Sequence, residues 1–591
     1  MLVPAILVVL VLAVYSPTLR AGFTSWDDER HITTNPVVVA GDGLVRSWTD
    51  PPATTFYFGP VTTTTWWAEW HLAGGAPWLF HLDNVLLHAA NVVLVGALMR
   101  ALSLTPPWAW LIAGLWGLHP IAVGTVAWAT ERKNVLFVFL WLCSLLLYLR
   151  ATARPTGVRL RLYVLSLVAF ALALLSKGAA LSLFTTLPLV EWLRGRRLRV
   201  TVLRTLPYAA LGVLAGVGLV GTRPEGALIA PLATRLPIAA RALWFYVGTF
   251  LWPRELLPVY PKWGLGGPGA AEWTACAALV AAGVLAMAFR HALPRLFWLG
   301  LGLFLTNALL VIGVVWFPYL RHAYVSDHLA YLPSLGLALA LVVAVRELAR
   351  ARGISERTTA GALAAAILVL AAASAAQTRI WRDSETLCTY TLAHNPDCFM
   401  CHANLGIVLR ERGELEAAAE HFEIALRIDP DANILVHLGN LRQQQGRLED
   451  AALYERAATL DPGYDTASYD LGNVLRELGR SEAAIPHYRQ ALAAAPASLN
   501  AHHNLALALW ESGRPDEARA EFEAALHIDP TDADTIVNLA RLLDDTGSGD
   551  AALALLEPAS RGSALTVRQS YAALLMKRGR AGDAARVLES A

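Results

Sequence analysis

Apolar runs separated by short polar connections fill most of the first 380 residues of the chain. A helix that crosses a lipid bilayer needs about 20 mainly apolar residues, and the pattern predicts about eleven such spans. The segment Trp244 to Trp263 is richer in Pro and Trp, which is compatible with a span, a re-entrant piece or an interfacial helix. We interpret it as partly embedded at the outer face, because a full crossing there would invert every later arginine cluster. The predicted spans begin near Met1, Phe80, Pro107, Val135, Leu162, Leu181, Leu206, Ala275, Leu296, Leu329 and Ala360.

Arginine residues cluster in alternate connections between the predicted spans, near residues 100, 150–161, 194–204, 290–295 and 346–357. Short loops that are rich in Lys and Arg stay in the cytoplasm. With an odd number of spans and the N-terminus inside, this rule places the loop 20–79 and everything after Gln377 on the outer face.

The last third of the chain repeats with a period near 34 residues, which is typical of tetratricopeptide (TPR) helix pairs. We predict five and a half repeats, with a degenerate sixth around Tyr571 to Leu588. Small residues recur where paired helices would cross, as in Leu438-Gly439 and Leu471-Gly472. The same feature is expected at Ala418, Ala451, Ala484 and Ala518, and the closing prolines are Pro396, Pro430, Pro462, Pro496 and Pro530.

The pattern therefore predicts an all-α chain with two domains, a polytopic membrane domain over residues 1–380 and a TPR α-solenoid over 381–591. The composition agrees, because 55% of the residues are hydrophobic and only 16% are charged. Mean hydropathy is +0.44, which is too apolar for a soluble protein of this length. A net charge of +1 without a basic face argues against nucleic acid as a partner.

Three consecutive acids, Asp27, Asp28 and Glu29, follow the first predicted span. Neighbouring carboxylates at a membrane surface suit proton or metal chemistry, or they are simply solvated. We identify no metal ligands, and a requirement for a divalent metal stays open.

Charged and polar residues also stand at the outer ends of other predicted spans. They are Arg132 with Lys133, Lys177, Asp327 with His328, and His119. Such residues either anchor helices at the interface or form a cationic pocket for a lipid-linked phosphate. For His119, a structural role and a role as a ligand both stay open.

Three cysteines follow the last predicted span. Cys398, Cys401 and His402 match the spacing of a c-type haem attachment site, but they overlap the first TPR helix. We favour a disulfide between Cys388 and either Cys398 or Cys401, since the outer face is oxidising.

Asparagines recur at one position of the repeat, at Asn404, Asn504 and Asn538. A two-sided amide on a groove-lining helix can hold the backbone of a peptide. The alternative is that Asn simply packs between helices here.

Six segments together resemble the transmembrane and TPR-containing O-mannosyltransferase (TMTC) family and its bacterial relatives, over essentially the whole chain. The segments are FTSWDDERHITTNP (23–36), HPIAVGTVAWATERKN (119–134), SK (176–177), WPRELLPVY (252–260), SDHLAYLPSLG (326–336) and WRDSETL (381–387).

The resemblance implies a GT-C-like glycosyltransferase. Such an enzyme would move a hexose, expected to be mannose, from a polyprenyl-phosphate carrier to Ser or Thr of an outer-face protein that the TPR array binds. It implies catalysis by Asp27 and Asp28. The implied substrate-binding residues are Arg132, Lys177, Asp327 and Tyr331. Glu29, His119 and His328 are further candidates for substrate binding, from their position on the same face.

Three residues depart from the family pattern, since Gly124, Gly178 and His328 stand where relatives usually carry Glu, Glu and Arg. The departures leave open a changed donor or acceptor, or weakened catalysis. Two other functions therefore stay open, a membrane-anchored TPR scaffold without activity and a transferase that acts on a glycan or lipid. Frequent Ala, and Arg in preference to Lys, suggest a bacterial inner membrane with the TPR array in the periplasm.

Overall fold

The computed structural model describes residues 2–50, 59–154, 157–220, 231–263, 267–314, 318–447, 452–561 and 564–589. Within these ranges the chain is helical and contains no strand, which confirms the all-α prediction. The chain divides into two compact units, Met1–Asn404 and Leu405–Ala591. The predicted boundary near residue 380 stays a prediction. Ala451 and part of the loop 20–79 lie outside the described residues.

The first unit contains seventeen α-helices in its described part, with short 3₁₀ and π turns between them. They are α1 (Leu2–Tyr15), α2 (Pro36–Val39), α3 (Gly43–Thr49), α4 (Pro60–Ala73), α5 (Pro77–Ala101), α6 (Pro106–Gly117), α7 (Val123–Ala127), α8 (Arg132–Ala151), α9 (Leu160–Ser176), α10 (Ser182–Leu193), α11 (Leu198–Val220), α12 (Leu232–Leu251), α13 (Ala270–Ala288), α14 (Arg295–Ala308), α15 (Pro333–Ala351), α16 (Glu356–Gln377) and α17 (Ser384–His394).

A helix lies at every predicted span, but the helices differ in length. Among the described residues, six are long and apolar enough to cross a membrane, and a pair bent by 52°, Pro106–Gly117 with Pro120–Ala127, makes a seventh. The six are Leu2–Arg20, Pro77–Ala101, Ala129–Ala151, Leu198–Ala215, Ala270–Ala288 and Glu356–Trp381. The other predicted spans correspond to shorter helices, such as α9 and α10, or to α15, which ends in charged residues.

Helix α5 lies at the centre of the first unit and packs against α1, α6 and α8. Its buried polar side chains satisfy carbonyl groups where neighbouring helices begin or end. Asn84 donates to Trp128 O at 3.0 Å, Asn91 donates to Val135 O at 3.0 Å, and His88 Nε2 bonds to Gly117 O at 2.8 Å. These contacts fix the segment that leads from α6 into α8, where the candidate site lies.

The repeats form six helix pairs in the described residues, which confirms the predicted TPR array and its sixth pair. Where the two helices of a pair cross, one of them needs a small residue. A Cβ atom on Gly439 would lie 2.6 Å from the ring of Tyr454, and one on Gly472 would lie 2.6 Å from the ring of Tyr488. The helices are α18 (Phe399–Glu411), α19 (Leu415–Ile428), α20 (Ala432–Gln444), α21 (Ala452–Leu460), α22 (Asp465–Glu477), α23 (Ser481–Ala494), α24 (Leu499–Glu511), α25 (Pro515–Ile528), α26 (Ala533–Asp545), α27 (Gly549–Ala559), α28 (Leu565–Lys577) and α29 (Ala581–Glu589).

Candidate functional site

Asp28 is a buried carboxylate that holds the first loop against the segment before α8. One oxygen accepts from the backbone N–H and the hydroxyl of Thr24, at 2.8 and 2.9 Å. The other accepts from the backbone N–H of Thr130 at 2.8 Å and also from the Thr130 hydroxyl. Burial raises the pKa of Asp28, while these four donors oppose that rise. So many fixed donors suit a positioning group better than an exchanging base.

Asp27, by contrast, keeps 36% of its side chain exposed and faces Lys133, whose Nζ lies 3.6 Å from Asp27 Oδ2. Lys133 also pairs with Glu131 at 3.3 Å, and Glu131 is buried and bonded to Asn134. The two consecutive aspartates therefore have different environments. Asp27 is the more exposed of the two carboxylates.

A cleft opens beside this pair of charges, and we call the part of its lining formed by Lys177, Asn134 and His328 its polar end. Lys177 Nζ donates to Asn134 Oδ1 at 2.6 Å, and Asn134 Nδ2 donates to His328 O at 3.1 Å. Ser182 and Asn307 add two further polar side chains to the lining. Burial lowers the pKa of His328 to about 4, so the ring is neutral at pH 7. The rest of the lining is mainly apolar, from Phe137, Ala179, Val311, Leu329, Leu332 and Pro333 with the ring of Tyr331. The cleft has a volume of only about 30 Å³, so a ligand with a charged head and a hydrocarbon tail would have to widen it.

Arg132 does not line this cleft. Its guanidinium is fully buried and pairs with Glu69 and with Asp83 Oδ2, the latter at 2.6 Å. It also donates to Asn84 Oδ1 at 2.5 Å and to Phe80 O at 2.8 Å. The next residue, Lys133, supplies the cation on the side of Asp27.

The other predicted substrate-binding residues are placed as follows. Glu29 is exposed at the start of a short π turn. His119 is buried, with Nδ1 accepting from the Ile121 N–H at 3.2 Å and Nε2 bonded to Phe250 O at 2.9 Å. Both of its ring nitrogens are therefore used within the protein. The assignment of these residues to substrate stays a prediction.

Asp327 and Tyr331 flank His328 but face the interior. Asp327 accepts from the Tyr260 hydroxyl at 2.9 Å, and burial raises the pKa of Asp327 to about 8. The Tyr331 hydroxyl lies 2.7 Å from His88 Nδ1. Trp116 Nε1 donates to the backbone carbonyl of Tyr331 at 2.8 Å. These bonds fix the turn that carries His328.

Aromatic rings back the site. Trp128 stacks on Trp381 with ring centroids 5.6 Å apart, and it meets Trp26 and His328 edge to face at 6.0 and 5.7 Å. A Cβ atom on Gly124 would lie 3.1 Å from Trp381. A glutamate at position 124 would therefore have to displace that ring.

Glu131 and Asn134 belong to this arrangement, although the sequence did not single them out. The available signal was the placement of an acid at the very start of an apolar run, where an unpaired charge is costly. Among the described residues, no group of three or more His, Cys, Asp or Glu side chains could hold a metal ion.

The second unit contains a separate polar cavity of about 630 Å³, lined by Arg410, Glu411, Asn440, Gln443 and Gln444. Asn504 donates to Asn473 Oδ1 at 2.9 Å and to the Tyr469 hydroxyl at 2.8 Å. Asn538 Nδ2 lies 3.4 Å from His503 Nε2, and Asn404 is half-buried in α18. Asn504 thus joins successive repeats, and acceptor binding by Asn404, Asn504 and Asn538 stays a prediction.

Comparisons with family models match the repeat region of the chain. Models described as tetratricopeptide repeat match residues 370–433, 404–465, 469–533 and 509–564. Among solved structures, the TPR protein YrrB is 22% identical with a TM-score of 0.29, covering 32% of this chain and 97% of its own. A MamA crystal structure is 21% identical with a TM-score of 0.27, covering 28% and 90%. The chain contains tetratricopeptide repeats, and its described part also has six helices that are long and apolar enough to cross a membrane.

It is, more narrowly, similar to the TMTC proteins. Protein O-mannosyl-transferase Tmtc2 of Drosophila melanogaster is 33% identical over 203 residues, which are 32% of this chain and 21% of that protein. TMTC2 of Mus musculus is 30% identical over 151 residues, which are 24% and 18%. The predicted resemblance to the TMTC family is confirmed, although the matched stretch spans only about a fifth of these relatives.

Proposed function

We propose that this chain is a membrane glycosyltransferase of the GT-C type. It moves a hexose, mannose in the first instance, from a polyprenyl-phosphate carrier to Ser or Thr of an outer-face protein. The observation that carries the proposal is the cleft with Lys177 at its polar end and Phe137, Leu329 and Leu332 on its walls. The O-mannosyl-transferase relatives support the reaction class.

The donor lipid has a charged phosphate diester and an apolar chain, and the cleft has groups suited to each. A phosphate diester needs cationic and N–H donors, which Lys177, Asn134 and the neutral ring of His328 can supply. An isoprenoid chain needs an apolar wall, which the cleft also has. Lys133 lies near this polar end. Lys133 and Lys177 both interact electrostatically with the Glu131 carboxylate, so the two ammonium groups lie around one acid.

Asp27 is the group that we assign as general base. The acceptor hydroxyl attacks the anomeric carbon and loses its proton to Asp27, while the bond from that carbon to the phosphate oxygen breaks. The new bond forms on the opposite face, so the configuration inverts. The polyprenyl phosphate leaves as an anion that Lys177 and Lys133 stabilise.

Asp28 and Glu131 hold these groups in place. Asp28 fixes the loop that carries Asp27 through its bonds to Thr130, only three residues before Lys133. Glu131 balances the positive charges of Lys133 and Lys177. Both carboxylates are therefore assigned a positioning role.

The TPR array is proposed to bind the acceptor polypeptide on the outer face. The polar cavity between α18 and α20, with Asn440 and Gln444 in its lining, supports a ligand rich in hydrogen-bonding groups. The orientation rests on the arginine clusters. A reporter fused after Ala591 should be active only outside the cytoplasm, and activity only inside would refute this topology.

The function is tested with purified chain in lipid nanodiscs, a polyprenyl-phosphate hexose carrying a radioactive sugar, and a library of periplasmic proteins. We expect label on Ser or Thr. Transfer only to glycan or lipid would favour the alternative acceptors. Protein binding without transfer, for any hexose donor offered, would favour the scaffold.

A further inference from the structure

Three cysteines lie together where α17 leads into α18, and the function above uses none of them. Cys398 immediately precedes α18, and Cys401 lies in its first turn. The two Sγ atoms are 2.8 Å apart, and both side chains are buried. Cys388 of α17 is also buried and lies within hydrogen-bonding reach of Cys401.

We propose that Cys398 and Cys401 form a disulfide in the mature protein and that Cys388 remains a free thiol. This assignment differs from the sequence-based expectation, which paired Cys388 with one of the other two. The geometry favours the pair Cys398 and Cys401, because a small rotation of either side chain brings sulfurs this close to a bonding length of about 2.05 Å. Oxidation also requires the outer-face orientation proposed above.

The bond forms by exchange with an external disulfide. The backbone N–H of Cys401 donates to Cys398 Sγ at 3.4 Å, which holds the two side chains together at the start of α18. One of the two cysteines attacks a low-molecular-weight disulfide or the disulfide of an oxidising protein, releasing one thiolate. The other cysteine then attacks the mixed disulfide and releases the second thiolate. Overall, two thiols lose two protons and two electrons, and the external disulfide is reduced to two thiols.

Burial of both cysteines should make the disulfide long-lived in the folded protein. The exposed fractions of the side chains are 2% for Cys398 and 0% for Cys401, so a reductant cannot reach them in the folded chain. The bond must form while α17 and α18 are folding. It should then resist reductant in the native protein and yield to it after unfolding.

The bond can be located in the wild-type protein by mass spectrometry. Free thiols are alkylated in denaturant at low pH, and the chain is then digested with trypsin and chymotrypsin. Cleavage after Phe399 separates Cys398 from Cys401, and cleavage after Tyr390 separates Cys388 from both. We expect two fragments joined through Cys398 and Cys401, with Cys388 alkylated. Fragments joined through Cys388, or three alkylated thiols in protein isolated from the outer face, would overturn the assignment.

Single substitutions of the cysteines test the same assignment in a second way. Cys388→Ser should keep the disulfide, whereas Cys398→Ser and Cys401→Ser should lose it and should not form a bond through Cys388. As a matched control, Cys143→Ser, in α8, should leave the pattern unchanged. Purified protein equilibrated with oxidised glutathione during refolding gives the same readout without any glycosyl transfer. A failure of the proposed enzyme function therefore leaves this test intact, and a failed pairing leaves the enzyme function intact.

Discussion

The backbone N–H of Thr130 donates to Asp28 Oδ1 at 2.8 Å, although the two residues are 102 positions apart in the chain. This bond attaches the first loop to the segment just before α8, and the two adjacent aspartates lie in different environments. Asp28 is committed to internal donors, while Asp27 remains exposed beside Lys133.

Asp27→Asn should therefore remove the general base and leave the fold intact. Loss of a general base costs about 10²- to 10⁴-fold in rate. The measurement is single-turnover transfer of labelled hexose in nanodiscs. Asp42→Asn, an exposed acid in the same loop with 69% of its side chain accessible, is the control and should retain wild-type rates. If the Asp27→Asn variant transferred hexose as fast as the control, Asp27 would be a solvated loop acid and not the general base.

Lys177→Ala should weaken donor binding, because it removes the charge at the polar end of the cleft. Loss of a hydrogen bond to a charged group costs about 1.5–3 kcal/mol, roughly a 10- to 150-fold rise in the dissociation constant for the carrier lipid. Binding is measured by displacement of a fluorescent polyprenyl phosphate. Lys262→Ala, whose Nζ bonds to Arg321 O instead, should bind as the wild type does. Equal affinity in both variants would mean that Lys177 only anchors the helix end.

Arg132→Ala should destabilise the protein instead of acting on donor binding alone. Removing one partner of a buried ion pair costs about 3–5 kcal/mol, and here the buried Glu69 loses its partner, while the Asp83 side chain is 38% exposed and adds little to the cost. Thermal unfolding in detergent measures the effect. Arg382→Ala breaks an exposed pair with Asp383 and should cost only about 0–1 kcal/mol. If the Arg132→Ala protein were as stable as the wild type but bound the donor more weakly, Arg132 would be a ligand of the donor phosphate after all.

Asp327 should make stability depend on pH. Burial raises the pKa of this carboxyl from 3.8 to about 8 in the folded chain. Between these values the unfolded chain releases a proton that the folded chain retains, so this group's contribution to stability falls as pH rises from about 4 to about 8. Asp327→Asn can still accept from Tyr260 and should abolish that loss. The unfolding temperatures of variant and wild type should diverge between pH 4 and pH 8, and parallel curves would contradict the assignment.

The helices were largely predictable from sequence, because long apolar runs and a 34-residue repeat leave few other structures open. The helix Leu232–Leu251 was not anticipated, since Arg235, Pro237 and Arg241 interrupt its apolar pattern. The residues of the candidate site were named from the sequence by type and approximate place, and their roles stay predictions.

The direction of each side chain was not predictable. Arg132 and Lys133 are neighbours at the start of α8, and consecutive residues on a helix point about 100° apart. One faces Glu69 and Asp83 and the other faces Asp27, and the pattern of charges along the chain does not say which. The same limit applies to Asp27 and Asp28. Such assignments depend on partners from distant segments, such as Thr130.

The break between α6 and α7 has a consequence for protein engineering. His119 Nδ1 accepts from the Ile121 N–H where the helix bends by 52°, and His119 Nε2 bonds to Phe250 O of α12. The residues that follow include Thr130, Glu131 and Lys133. A designer who transplanted the site into another helical scaffold would have to move residues 119–134 as one cassette together with the first loop. Grafting the charged side chains onto an unbroken helix would lose the turn that presents them.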